Sequence, residues 1–319
     1  MISLQDVTEA RERISQIAHV TPILQSEQLS KLCGNQLFLK SKHLQKTGSF
    51  KIRGASNKVI HAIDNGAKYV TAASSGNHGQ AVAYVANKYG VSATIVVPED
   101  VSKCKVNAIQ AYNGKVELCG TTSRERIPRA QAIADQQNGI FIPPYDDPFI
   151  MAGQGTVGLE ILDQVENVNA IIVPIGGGGL ISGILTAIKE TNPKIKVIGV
   201  EPELADDTYL SLQNKKITAI DSTTTIADGL RTNQPGDLTF PVLMKYLDDL
   251  VLVSEDEIRQ AFSFVMERTK QLIEPSSAAT VAAALFNKVN IQGKNIVTVI
   301  SGGNVDLDKV HQLIVNEVT

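Results

Sequence analysis

The chain has 319 residues, 43% of them hydrophobic and 20% charged, with a formal net charge of −3. That length predicts two domains at roughly 100–200 residues each and a core large enough to need no disulfide or metal staple. Near-neutral charge without a long basic run excludes nucleic acid and anionic membrane as expected partners, and three scattered cysteines without CxxC spacing (Cys33, Cys104, Cys119) point to a reducing compartment and away from a zinc site.

Taken in order, residues 4–17 carry Leu4, Val7, Ala10, Ile14 and Ile17 at helical spacing behind a Ser3 cap. The stretch from Met1 to Asp6 does not read as a signal peptide, and no apolar run reaches about 18 residues, so a cytoplasmic protein is expected. Pro22 extends Thr21 to Leu24, and 36–40 reads as a strand. Gln45-Lys46-Thr47-Gly48-Ser49-Phe50-Lys51-Ile52-Arg53-Gly54 follows, with a helix over 52–64. From Lys68 the pattern becomes short β/α alternation: strand 69–73, the turn Ser74-Ser75-Gly76-Asn77-His78-Gly79, a helix through Ala81 and Val85, strand 93–98, helix 103–112, strand 115–118, a polar helix around Arg124 to Arg126, and strand 140–142. Pro143-Pro144-Tyr145-Asp146-Asp147-Pro148 is the strongest linker signal. Beyond it, 170–174 and 196–200 are near-continuous apolar strands, as in a parallel sheet covered on both faces. Ser254 and Glu257 form a capping box for a helix over 255–270, and 295–300 is the last strand.

The pattern predicts an α/β protein with two open, twisted, mostly parallel sheets flanked by helices. The expected division is a large domain from residues 1–58 and 146–319, with a small mobile domain, 68–145, inserted in it. In such folds the ligand sits beyond the carboxyl ends of the strands, here between the domains.

Five stretches carry candidate chemistry. Lys51 stands among Ser49, Phe50 and Ile52, close to Gly48 and Gly54. A lysine there is either a snorkelling surface residue or a chemical group, because burying an unpaired ammonium is costly. Gly176-Gly177-Gly178-Gly179 follows a strand and opens a helix, so its backbone N–H groups suit a phosphate. Its spacing does not give the G-x-G-x-x-G of a dinucleotide site. The turn Ser74 to His78 suits a carboxylate, or is a polar helix cap. Ser301-Gly302-Gly303-Asn304 ends the last strand, where a serine can offer a neutral hydrogen bond to a pyridine nitrogen, or is a plain turn. A phosphate, a pyridine nitrogen and an aldehyde bound by a lysine together describe pyridoxal 5′-phosphate (PLP). Glu201, with Asp206 and Asp207 nearby, suits a hard cation or is a solvated acidic loop.

These motifs, with Ala152-Gly153-Gln154-Gly155-Thr156, make the chain resemble the fold type II (tryptophan synthase β-like) PLP enzymes, and within them the family of serine/threonine dehydratases and serine racemases. The resemblance runs nearly end to end. It implies that Lys51 carries the cofactor and works on one face of the substrate Cα, and that Phe50 packs beside it. It assigns Asn77 to the ring hydroxyl, Gly176, Gly177, Gly178 and Gly179 to the phosphate, and Ser301 to the pyridine nitrogen. Ser74, Ser75, Gly76, Asn77 and His78 would hold the substrate carboxylate. Dehydratases of the family commonly carry alanine where this chain has Ser75. Racemisation needs an acid/base on the face opposite the lysine, which Ser75 can supply. The resemblance therefore implies racemisation of serine accompanied by serine dehydration to pyruvate and ammonia. A threonine dehydratase and a hydroxyaspartate-acting enzyme are the runners-up. A non-catalytic amino-acid- or nucleotide-binding protein on the same fold is the rival from another class. The family further implies a divalent cation (Mg²⁺, Ca²⁺ or Mn²⁺) on Glu201, the Ala205 carbonyl and Asp207. It also implies ATP as an effector at Ser26, Lys46, Thr47, Tyr112, Lys270 and Asn304, and a homodimer. Gln25 and Glu27 depart from the small hydroxyl residues usual beside Ser26.

Overall fold

The computed structural model describes residues 1–315 apart from Ser75 and Ser102, with the backbone but not the side chain of Cys104. In chain order the strands are β1 (Ile23–Gln25), β2 (Gln36–Ser41), β3 (Tyr69–Ala73), β4 (Ser92–Val97), β5 (Lys115–Leu118), β6 (Ile140–Phe141), β7 (Ala170–Pro174), β8 (Lys196–Pro202), β9 (Asp249–Val253) and β10 (Asn295–Ile300). The helices are α1 (Leu4–Ile14), α2 (Glu27–Cys33), α3 (Lys51–Asp64), α4 (Asn77–Lys88), α5 (Lys103–Ala111), α6 (Ser123–Gln136), α7 (Pro148–Gln164), α8 (Gly179–Thr191), α9 (Asp207–Asn214), α10 (Phe240–Tyr246), α11 (Glu255–Thr269), α12 (Pro275–Leu285) and α13 (Val310–Leu313).

Two sheets result. The six-stranded sheet runs β1-β2-β10-β7-β8-β9, parallel except at the β1 edge. The four-stranded sheet runs β5-β4-β3-β6 and is parallel throughout. β7 and β8 read as unbroken apolar runs because both faces are covered. α7 and α8 pack on one side, with α11 and α12 on the other. A third cluster fills the space between α3, α4 and the smaller sheet through Ile52, Val59, Val82 and Ile95, all fully buried. Burying such side chains is worth about 1.5–3 kcal/mol each.

Most boundaries fall within a residue or two of expectation. The Ser254–Glu257 capping box forms as expected. Two differences matter. The linker Pro143 to Pro148 is partly buried and contributes to the site: Pro144 and Tyr145 face the cavity described below, and Asp147 caps α7 by accepting from the Phe149 and Ile150 N–H groups. The glycine-containing motif 152–156 lies within α7, which had no sequence signal of its own because glycine lowers helix propensity. Here glycine permits close crossing. A Cβ on Gly153 would lie 2.7 Å from the Arg53 carbonyl oxygen of α3, and one on Gly183 of α8 would strike the Met151 carbonyl. Three helices thus meet backbone to backbone directly behind Lys51.

Candidate active site

Lys51 is the first residue of α3. The segment after β10 is stitched to the stretch before it. Phe50 N–H donates to the Ser301 carbonyl (2.9 Å), and Gly303 N–H donates to the Gly48 carbonyl (2.9 Å). Residues far apart in sequence, Lys51 and Ser301, are therefore held at one cavity by main-chain bonds. The Lys51 ammonium donates to the Pro144 carbonyl at 2.8 Å and lies 5.3 Å from the centroid of the Phe50 ring. Burial pushes its pKa down to about 8, with the Glu274 charge offsetting part of the effect. A lysine so placed loses its proton more readily than a solvated one, as nucleophilic and basic lysines require.

The cavity encloses about 160 Å³ and is lined by Lys51, Asn77, Tyr145, Gly177, Glu274 and Ser301. At one end lies the tetraglycine. Gly178 adopts φ 90°, a left-handed conformation that favours glycine, and α8 starts directly after it. A Cβ on Gly177 would run into the Tyr145 ring. One on Gly178 would lie 2.7 Å from Thr239 Oγ1, and one on Gly179 2.9 Å from Tyr145 Cβ. Among the described residues the N–H groups of Gly176 through Gly179 meet no backbone acceptor. Unengaged donors at a helix N-terminus are suited to a phosphate.

At the other end lie Ser301, Asn77, Glu274 and Asn304. Ser301 Oγ sits 3.0 Å from Ser277 Oγ. Asn77 Nδ2 donates to both Glu274 oxygens (3.1 and 3.0 Å), while its Oδ1 accepts from Asn304 Nδ2 (2.8 Å). Burial pushes Glu274 up to about 7, aided by the charge of Asp228.

Of the turn expected to hold a carboxylate, Ser74 Oγ accepts from the Gly76 N–H at 3.1 Å, and Gly76 precedes α4. Ser75 lies outside the described residues. His78 turns its side chain inward. Its Nε2 donates to the Ile142 carbonyl (2.9 Å), and burial, reinforced by Lys51, pushes its pKa down to about 3. His78 is thus neutral. An anion at this turn meets backbone N–H groups and the α4 N-terminus, not an imidazolium.

The described residues therefore bring a lysine of lowered pKa, a glycine turn with unengaged N–H donors and a serine hydroxyl to one cavity. Residues 14–302 match the family model described as pyridoxal-phosphate dependent enzyme. The chain belongs to that family. It is 42% identical to the L-threonine ammonia-lyase of Thermotoga maritima over 98% of this chain and 78% of that protein. It is 43% identical to the serine racemase of Dictyostelium discoideum over 98% of each. Among solved structures it superposes on maize serine racemase with TM-score 0.93 and 38% identity, covering 98% of this chain and 96% of that one. The fold is that of the fold type II enzymes, as the sequence resemblance implied.

Family membership places the remaining expected residues in context. Glu201 lies within β8 rather than in the loop after it. Glu201, Ala205 and Asp207 are fully buried. Both Glu201 oxygens accept backbone N–H groups, from Thr208 (3.1 Å) and Tyr209 (2.8 Å). Burial and the Asp207 charge raise Glu201 well above the usual carboxylate range, and burial pushes Asp207 up to about 7. Among the described residues no group of three or more His, Cys, Asp or Glu side chains gathers, so a cation here would rest on two carboxylates and a carbonyl. Of the residues expected to bind ATP, Thr47 and Asn304 touch, with Asn304 Nδ2 donating to the Thr47 carbonyl at 2.8 Å. Ser26 caps α2, Tyr112 stacks edge-on against Tyr84, and Lys270 ends α11 with its ammonium 2.5 Å from the Glu267 carbonyl. Lys46 is half-buried beside Thr47.

Several site residues were given no role by the sequence. Tyr145 sits in the proline-rich linker stretch, and Glu274 in Leu272-Ile273-Glu274-Pro275-Ser276, which resembles the corresponding racemase stretch. Lys105 of α5 reaches Asp228 at 2.6 Å, across the mouth between the two sheets. Arg126 of α6 is buried at the cavity wall. Its Nη2 donates to Ser123 Oγ (3.3 Å), while Nε and Nη1 have no hydrogen-bond partner among the described residues.

Proposed function

We propose that this PLP-dependent enzyme interconverts L- and D-serine and also dehydrates serine to pyruvate and ammonia. The observation that carries this reading is Ser75, in the second place of the turn whose flanking residues, Ser74 and Asn77, line the Lys51 cavity. When bound, PLP draws electrons away from the substrate Cα. Lys51 Nζ takes the Cα proton on one face, and the Ser75 hydroxyl hands a proton to the other. The tetraglycine N–H groups hold the phosphate, the Ser301 hydroxyl faces the ring nitrogen, Asn77 serves the ring hydroxyl, and Phe50 packs beside the ring. The turn Ser74 to His78 orients the carboxylate from the start of α4, with the Ser74 N–H itself taken by the Val96 carbonyl (3.0 Å) and the Gly76 N–H by Ser74 Oγ (3.1 Å). Departure of the β-hydroxyl in place of reprotonation gives the lyase product. Chiral analysis of products from L-serine, D-serine, L-threonine and hydroxyaspartate tests the assignment. Absence of D-serine from L-serine overturns it in favour of a dehydratase.

Arg126 favours a second reading. A buried guanidinium with unpartnered donors at the cavity wall suits a second substrate carboxylate. That supports action on hydroxyaspartate. Arg126→Ala should then abolish hydroxyaspartate turnover while sparing serine; equal loss on both substrates removes this reading.

Two carboxylates raised by burial, with the Asp207 charge raising Glu201 further, form a site that a divalent cation such as Mg²⁺ relieves, so Glu201, the Ala205 carbonyl and Asp207 are read as its ligands. The ATP assignment to Ser26, Lys46, Thr47, Tyr112, Lys270 and Asn304 rests on family resemblance, as do the homodimer and the division into a large domain and a small mobile one. No described helix is long and apolar enough to cross a membrane. Repeating the product assay with and without Mg²⁺ and ATP tests both ligands.

A further inference from the structure

Ser277 of α12 lies outside the groups assigned above, yet it is fully buried and touches Ser301. Its hydroxyl has three neighbours. The Gly302 N–H donates to it at 2.8 Å, the Gly302 carbonyl lies 2.7 Å away, and Ser301 Oγ lies 3.0 Å away. A hydroxyl owns one proton. Because Gly302 N–H can only donate, that proton goes either to the Gly302 carbonyl or to Ser301 Oγ. If it goes to the carbonyl, which at 2.7 Å is the nearer acceptor, Ser277 is left with a lone pair that can draw the Ser301 proton away from the cavity. If it goes to Ser301, the Ser301 proton is released toward the cavity. The second arrangement orphans nothing, since the Gly302 carbonyl also accepts the Glu274 N–H at 3.0 Å.

We propose that Ser277 is a positioning residue that donates its proton to Ser301 and so makes Ser301 a hydrogen-bond donor to the cofactor ring nitrogen. This rests on the reading of Ser301 as the partner of that nitrogen. The chain Gly302 N–H to Ser277 to Ser301 runs in one direction, so each bond polarises the next. Without Ser277, Ser301 loses both the donor that feeds it and the contact that holds its rotamer.

The test is the ¹⁵N resonance of the pyridine nitrogen in holoenzyme reconstituted with ¹⁵N-labelled PLP, followed across pH with the visible absorption. Ser301→Ala reports on the underlying reading: the resonance should move to the value of a nitrogen without a hydrogen bond. Ser277→Ala should move it part of the way and shift the pH dependence of the absorption in the same sense. Ser277→Cys, which keeps the volume and a weak donor, should fall between wild type and Ser277→Ala, which guards against a folding defect in the alanine variant. A resonance that moves in Ser301→Ala but stays at the wild-type value in both Ser277 variants overturns the Ser277 role and leaves the Ser301 reading standing. A resonance indifferent to Ser301→Ala overturns both.

Discussion

Behind Lys51, three buried cations share one carboxylate, and removing that carboxylate is the sharpest test of how the site is held. Lys40 of β2, Lys42 just after it and Arg53 of α3 all reach Glu160 of α7; the two lysine ammonium groups stand 2.7 and 2.5 Å from its Oε2, and Arg53 bonds its Oε1. All four side chains are at most 6% exposed. Arg53 lies two residues after Lys51, so this cluster fixes the first turn of the helix that carries Lys51. Arg53 has further acceptors in Thr156 Oγ1 (2.7 Å) and the His19 carbonyl (2.8 Å), and Lys40 in the Thr21 carbonyl (2.8 Å). Lys42 has Glu160. The three cations hold Glu160 at about 2, against 4.5 for an ordinary glutamate, overcoming the opposing effect of burial. That difference corresponds to about 3 kcal/mol of folding free energy. Breaking a buried ion pair from one side costs about 3–5 kcal/mol by another route. Glu160→Gln should therefore lower the unfolding free energy by about 3 kcal/mol or more at pH 7, read from urea denaturation. Because the folded pKa is depressed, the contribution is complete above about 4.5 and disappears as pH falls toward about 2. The gap between wild type and variant should close over that window. Lys42→Met, which removes the cation with the fewest partners, should leave stability unchanged or raised, since burial and the Arg53 charge hold Lys42 well below the usual lysine range. A loss under about 1 kcal/mol in Glu160→Gln, or a loss above about 2 kcal/mol in Lys42→Met, refutes this account.

Other outcomes are expected at the site itself. Lys51→Ala should abolish the absorption of the bound cofactor near the visible edge; a retained lysine-linked chromophore contradicts the assignment. Ser75→Ala should cut serine racemisation at least about a hundredfold, the lower side of general acid–base contributions, while dehydration of L-serine survives; parallel loss of both activities removes the two-face reading. Gly177→Ala should weaken cofactor binding at least about tenfold, about 1.4 kcal/mol, because the new methyl meets the Tyr145 ring, and Tyr145→Ala in the same chain should recover part of it. Equilibrium titration with PLP decides between recovery and simple addition of the two losses. Glu274, at about 7, is protonated below neutrality and ionised above it, so kcat/KM should show an inflection near pH 7 that Glu274→Gln removes. An inflection that persists in the variant belongs to another group.

The two sheets and the strand-end location of the chemistry were legible because they rest on local signals. Apolar runs such as 170–174, the Ser254–Glu257 box and four successive glycines before a helix each act within a few residues. Lys51, Asn77 and Ser301 each sit in a short motif, and all three line one cavity, but their roles rest on the family resemblance and not on the residue types alone. Tertiary structure alone decided what surrounds them. Nothing in the neighbourhood of Pro144 or Tyr145 announces that one accepts from Lys51 and the other walls the glycine cradle. Nothing near Glu160 announces three cations from other elements, and nothing near Ser277 announces a partner 3.0 Å away on β10's far end. The physical reason is burial. Periodicity and turn chemistry are set by neighbours along the chain, whereas pKa values, proton directions and cavity walls depend on which distant groups share a water-free space, and that is fixed only when α3, α7, α8 and α12 close around the sheet.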